Sequence, residues 1–157
     1  MNTEIKKRIF TIACRKSTAV LTDSKNMTSE RFDADKSTNA CIDALNSLLD
    51  RMPKGVKLDY SIAILLPESI SFLAYEDTRN YWLANGCKKN GEPIDVDTLN
   101  RVKKLHHLIK IQAKNIQIFN QKTISSPLYR SYARATWNLM NEIIPQEKQE
   151  SVSCNSF

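Results

Sequence analysis

Short apolar runs alternate with polar turns along this chain, and their spacing predicts the elements. Residues 7–15 (KRIFTIACR) and 18–23 (TAVLTD) are apolar and β-rich, and Ser24-Lys25-Asn26 supplies turn chemistry before a third short strand around Glu30–Ala34. That sequence of signals predicts an antiparallel meander. The period then becomes helical: Ile42, Leu45, Leu49 and Met52 recur behind a cap at Ser37 or Thr38, and Pro53 with Gly55 ends the helix. Ile62-Ala63-Ile64-Leu65-Leu66 shows no alternation, which suits a strand buried on both faces in the parallel part of a sheet. The spacing predicts one crossover helix over Ser69–Asn85, carrying Phe72, Leu73, Tyr75, Trp82 and Leu83 and stopped at Asn85-Gly86. A further helix opens at Val96 or Asp97 with Leu99, Val102, Leu105 and Ile109 as its buried stripe, while Arg101, Lys104 and the row Lys103, His107, Lys110 point elsewhere. Ile116–Phe119 reads as a strand. Pro127 starts a last helix with Tyr129, Tyr132, Ala133, Thr136, Met140 and Ile143 on one face and Arg130, Arg134 and Asn138 opposite.

The order β-β-β-α-β-α-(basic helix)-β-α predicts an α/β fold: a meander followed by right-handed crossovers to parallel strands. A chain of 157 residues suits one domain, placed over residues 1–144, with the polar, aperiodic segment 145–157 expected to be a disordered tail. There is no internal repeat, and glycines only at 55, 86 and 91 leave no glycine-rich phosphate loop. No apolar run approaches the ~20 residues of a membrane span and MNTEIKKRIF lacks a signal-peptide core, so no membrane and cytoplasmic residence are expected. Cys14, Cys41, Cys87 and Cys154 form no CxxC or Cys/His cluster, which favours free thiols over a metal or redox role, with Cys14 and Cys41 filling core.

Charge changes the picture mainly by its location. The chain carries a formal +6, and between Gly86 and Lys114 seven cations (Lys88, Lys89, Arg101, Lys103, Lys104, Lys110, Lys114) oppose Glu92, Asp95 and Asp97, so +4 of the total lies in this one stretch. A concentrated patch suggests an acidic partner more than net charge alone does; a solvated basic face without a partner is the alternative.

The ordered motifs are similar to those of type I ribonuclease H. Ile9-Phe10-Thr11-Ile12-Ala13-Cys14 stands where that family has an IFTDGS-like first strand, Ser37-Thr38-Asn39-Ala40-Cys41-Ile42-Asp43-Ala44-Leu45 resembles its TNN..EL helix, and Leu65-Leu66-Pro67-Glu68-Ser69 falls at its TDS.Y strand. Trp82-Leu83-Ala84-Asn85-Gly86-Cys87-Lys88-Lys89-Asn90-Gly91 resembles the basic protrusion W..NWKK.G, and Pro93-Ile94-Asp95-Val96-Asp97-Thr98-Leu99 its PV.N.DL. The similarity spans roughly residues 7–144 and implies a mixed five-stranded sheet of order 3-2-1-4-5 with helices on both faces.

The resemblance also implies two-metal phosphodiester hydrolysis, which needs several converging carboxylates around paired Mg²⁺ ions. Here the chain departs from the family. Ile12 occupies the first-strand aspartate position, Asp43 matches the helix glutamate one methylene short, Glu68 approximately matches the fourth-strand aspartate, and Ser131 stands near the terminal-helix aspartate. The family's GH.G..EN loop is replaced by Asn120-Gln121-Lys122-Thr123-Ile124-Ser125-Ser126-Pro127. Asp43 and Glu68 are therefore residual acids with ordinary alternatives: Asp43 shares a polar face with Ser47 and Asp50, and Glu68 precedes Ser69 at a helix start. His106 and His107 are adjacent, which sets their side chains about 100° apart on a helix and suits no single metal. A second register, placing Thr22-Asp23-Ser24 on the first strand, restores an acid but breaks the meander. Expectations are thus no metal, no cofactor and a catalytically inactive ribonuclease H-like domain acting as a nucleic-acid-binding regulatory factor. Its candidate contacts are Lys88, Lys89, Arg101, Lys103 and Lys104, on a duplex or hybrid. The alternatives are a protein-binding adaptor or inhibitor of a host or nucleoprotein machine and, third, a divergent metal-dependent nuclease using Asp43, Glu68 and Asp23.

Overall fold

The first apolar run forms the middle of a sheet because both of its faces are covered. In the computed structural model, which describes residues 6–25, 27–86 and 91–144, β1 (Lys6–Arg15) pairs antiparallel with β2 (Thr18–Asp23), and β2 with β3 (Thr28–Asp33). On its other side β1 runs parallel to β4 (Tyr60–Leu66), which runs parallel to β5 (Ile116–Asn120). The sheet order is β3-β2-β1-β4-β5, as the resemblance implied.

Alternation along β1 decides which helix meets which side chain. Phe10 and Ile12 enter a core with α1 (Ser37–Arg51) and α4 (Val96–Gln112), through Ile42, Leu45, Leu49, Val102 and Leu105. Ile9 and Ala13 face the opposite layer, where α5 (Pro127–Ile143) lays Tyr129 and Tyr132 over Ile9, Ala63 and Leu65, and Met140 over Ala13 and Val20. β4 lies between both layers, with Ile62, Ile64 and Leu66 on the α1 side and Ala63 and Leu65 on the α5 side, so an unbroken apolar run is what its position demands.

Two expectations about helix boundaries are corrected. The residue capping α1 is Lys36, without a side-chain cap bond; Ser37 is already helical, and Asp35 instead accepts a 2.7 Å bond from Asn39. The single helix expected over Ser69–Asn85 is broken into α2 (Glu68–Ser71), a 3₁₀ turn (Phe72–Ala74), an extended Tyr75 (φ −89°, ψ 131°) and α3 (Glu76–Asn85). The break holds because the carbonyls it strands find a donor from the next helix. Arg79, 2% exposed, donates from Nη1 to Leu73 O at 3.0 Å and Ala74 O at 2.9 Å, and from Nε to His106 Nδ1 at 3.0 Å. Glu76 and Asp77 fall in the first turn of α3, where the helix dipole favours anions. The stop at Gly86 is where the pattern put it: its φ of 62° is left-handed, and its N–H closes on Trp82 O at 2.8 Å.

Two further amides join the layers. Gln112 is fully buried, and its Nε2 lies 3.2–3.4 Å from the carbonyls of Leu49, Met52 and Pro53 at the end of α1. Asn115 takes the Leu58 N–H and donates to Val56 O, both at 2.9 Å, which aligns the entry to β4 with β5. Among the described residues no helix is long and apolar enough to cross a membrane. Lys88, Lys89 and the expected tail 145–157 lie outside the described residues.

Replacing Arg79 by Ala leaves two carbonyls and the His106 ring without their donor in a buried place. The expected loss is about 3 kcal/mol of unfolding free energy by urea titration.

Candidate nucleic-acid interface

Ligands in open α/β sheets gather where parallel strands diverge at their carboxyl ends. Here β1 and β4 stay in register through Thr11↔Leu65 and then part. The split is closed by Gln121, one residue past β5, whose Nε2 donates to both Ile12 O and Leu65 O at 2.7 Å. Its Oε1 accepts from Trp137 Nε1 at 2.8 Å. Gln121 belongs to the segment replacing the family's histidine loop, and nothing in its local sequence announces this role.

The positions matched to metal-binding carboxylates do not converge. Ile12 is fully buried against α1. Asp43 points along the α1–α4 groove, where Arg101 Nε and Nη2 meet its two oxygens at 2.8 and 3.3 Å. Glu68 is exposed and pairs with Lys122 at 3.3 Å, and Ser131 is an exposed position on α5. Asp23, the acid of the second register, pairs with Arg8, and its place opposite Phe10 on the antiparallel β2 rules that register out. Among the described residues no three of His, Cys, Asp or Glu are grouped to hold a metal ion. The side chains present therefore do not fit the paired Mg²⁺ ions that the resemblance implied.

The basic candidates divide by their partners. Arg101 also holds Asp97 at 2.7 Å, and its two carboxylates push its pKa further up, so the guanidinium is occupied within the protein. Lys104 lies 3.7 Å from Asp50. Lys103 is exposed with no acidic partner among the described residues, and on the same side of α4 stand exposed His107 and Lys110, the latter 3.5 Å from Glu76. His106 is turned inward, bonded to Arg79, and burial moves its pKa down.

The start of α4 is set by Asp95. Its carboxylate takes the Thr98 N–H at 3.0 Å, the Thr98 hydroxyl at 2.8 Å and Lys36 Nζ at 2.9 Å. The Lys36 ammonium, then Thr98, hold its pKa well below the usual aspartate range. The same Thr98 Oγ1 lies 3.0 Å from Asn39 Oδ1, so its one proton is shared between Asp95 and Asn39, and the asparagine of the TNN-like motif ties α1 to the basic helix.

No family model matches the chain, and no curated protein matches it. Solved structures do. One is a foamy viral protease-reverse transcriptase in complex with an RNA/DNA hybrid, at 10% identity and a TM-score of 0.54, over 83% of this chain and 18% of that one. Another is the foamy viral protease-reverse transcriptase in complex with dsDNA, at 9% identity and a TM-score of 0.54, over 87% of this chain and 94% of that one. The fold is ribonuclease H-like. At this identity the likeness is one of fold.

Two measurements check the geometry. Ile12→Asp buries a carboxylate in hydrocarbon and should cost about 4 kcal/mol in urea unfolding, unrelieved by Mg²⁺; stability restored by the metal would contradict this packing. Asp95, whose folded pKa lies below its unfolded one, contributes stability above pH ~4 that disappears as pH falls through the acid range. Asp95→Asn should therefore lower the melting temperature at pH 7, and its gap to the parent should shrink on acidification.

Proposed function

We propose that this domain binds nucleic acid, duplex or RNA–DNA hybrid, as a regulatory factor without the two-metal hydrolysis that the ribonuclease H resemblance implied. The observation that carries the reading is the outer row of α4, Lys103, His107 and Lys110, directly downstream of Lys88 and Lys89 in sequence. Lys103 has no acid to displace among the described residues, and the partners of Lys104 and Lys110 are exposed and 3.5–3.7 Å away. Such pairs are worth about 0–1 kcal/mol, so phosphates replace them at little cost and release counterions as they do. Arg101 differs: two carboxylates engage it, and its work is to join α1 to α4. Contacts of the lysine kind position a backbone and read no base sequence. The buried Ile12 and the separation of Asp43 from Glu68 support the absence of hydrolysis.

A second reading, binding of a protein partner, is favoured by the edge of β5, beyond which no strand lies among the described residues. Ile62 N–H donates to Asn115 O, so in this parallel ladder the peptide groups of Ile116 and Ile118 point away from β4. Beside that edge lies an apolar groove of about 270 Å³ between Ala74, Tyr75, Ile109 and Ile118, with Tyr75 65% exposed. A protein captured from extract after nuclease treatment, and lost with Tyr75→Asp, would favour this reading over the first.

The first reading is tested by fluorescence anisotropy on an RNA–DNA hybrid across salt concentrations. Affinity should fall steeply with salt, and each of Lys88→Glu, Lys89→Glu and Lys103→Glu should weaken binding and reduce the salt slope by about 1. Arg101→Ala should lower stability and leave the slope unchanged. Salt-insensitive binding, or full affinity in the lysine variants, overturns the proposal. Cleavage of the hybrid with Mg²⁺ or Mn²⁺ that is abolished by Asp43→Asn would restore the nuclease reading.

A further inference from the structure

The outer row of α4 does not stop at Lys110. Positions 103, 107, 110 and 114, at about 100° per residue, fall within about 60° of one another around the helix. The C-cap Ala113 keeps helical dihedrals (φ −53°, ψ −34°), so Lys114 extends the row by a further turn. From Lys103 to Lys114 the rise is about 16 Å. The turn at 113–115 then feeds β5, which places Lys114 at the amino end of the parallel strands, at the opposite end of the sheet from the cleft that Gln121 closes. There it meets two more lysines. Lys57, in the loop before β4, donates from Nζ to Lys114 O at 2.7 Å. Lys7 on β1 pairs with Ser61 of β4, whose neighbour Ile62 pairs with Ile116, so Lys7 and Lys114 stand two strand spacings apart, about 10 Å. All three line one open hollow of about 720 Å³. All three are exposed, and among the described residues none of them is in an ion pair. Asp59 is the acid of the lining, which leaves three cations against one carboxylate, a net +2. The end of α4 accounts for Lys114, whose charge complements the helix dipole, and the bond to Lys114 O takes one of the three ammonium protons of Lys57. Neither accounts for Lys7, nor for an excess of positive charge gathered on one rim.

We propose that the backbone of a bound nucleic-acid strand follows α4 from Lys103 to Lys114 and ends in this hollow, where Lys7, Lys57 and Lys114 hold its phosphates. The strand then leaves the protein at the amino end of the sheet instead of crossing the carboxyl-end cleft. This route rests on the reading of α4 as a nucleic-acid contact and adds its direction and its far end. The α4 row covers roughly five nucleotide steps of one strand. The ammonium groups act as point charges on the backbone, so the hollow adds affinity and salt dependence and reads no base sequence.

The test uses the full chain and a fluorescein-labelled RNA–DNA hybrid. Lys7→Gln, Lys57→Gln and Lys114→Gln should each lower the slope of log affinity against log salt by about 1. In Lys57→Gln the amide keeps a donor for Lys114 O. Arg130→Gln and Arg134→Gln remove the same charge from exposed positions on α5 and should leave the slope unchanged. Lysine acetylation of the parent chain, read by peptide mass mapping, gives a second measure that needs no variant to fold. The hybrid should protect Lys7, Lys57 and Lys114 and leave Lys122, exposed beside the closed cleft, reactive. A slope lowered by Lys103→Glu but by none of the three substitutions in the hollow, or protection of Lys122 in their place, overturns the route and leaves α4 as a contact. Equal slope losses in the α5 variants overturn it too, because net charge then explains the effect. Salt-insensitive binding by the parent chain removes the nucleic-acid reading itself, and the route with it.

Discussion

The arrangement depends on one side-chain amide. Two parallel strands that part at their carboxyl ends leave carbonyls without ladder partners, and a buried, unpaired carbonyl costs about 1–3 kcal/mol. Gln121 satisfies one from each strand, and its own oxygen is satisfied by Trp137 on α5. The amide therefore fills the cleft, fixes the turn out of β5, and fastens the α5 layer to the middle of the sheet. A cleft closed in this way is no place for hydrated divalent ions, and the wholly apolar surroundings of Ile12 on the other side of the same strand agree with that.

Polar residues elsewhere repeat this logic. Arg79 receives the carbonyls at the break before α3, Gln112 those at the end of α1, and Asn39 with Thr98 joins α1 to α4. Each stands where a helix ends or begins and leaves peptide groups that water cannot reach. Together they make α1, α3 and α4 a braced layer over one face of the sheet. Charges on the outer side of that layer are then displayed on a rigid support.

The same layer explains why the basic residues are unequal. On one side of α4, Arg101 turns into a groove that it shares with Asp43, Asp50 and Asp97, and its charge is spent on holding α1. On the other, Lys103, His107 and Lys110 meet solvent. A residue count over the segment assigns all of them to one patch, and the fold divides them into a structural set and a displayed set. The acids inherited from the motif resemblance are divided similarly, each neutralised by a local cation instead of converging on a common centre.

Much of the architecture was legible in the sequence because hydrophobic period records which faces are covered. The meander, the doubly buried β4, the stripe on α4, the amphipathic α5 and the Gly86 stop all follow from local pattern, and the ordered motifs indicate the strand order. The absence of an acid at Ile12 is also a sequence fact. What periodicity cannot carry is the partner of a polar side chain distant in sequence. Gln121 bonds residues 109 and 56 positions away, Arg101 is claimed by Asp43 across 58 positions, and the break at Tyr75 depends on Arg79 reaching back while bonding His106, 27 positions on. An amide or guanidinium looks the same in a local window whether it ends in water or in the core. Only the packing of the layers decides which carbonyls are stranded, and therefore which of these side chains must turn inward to meet them.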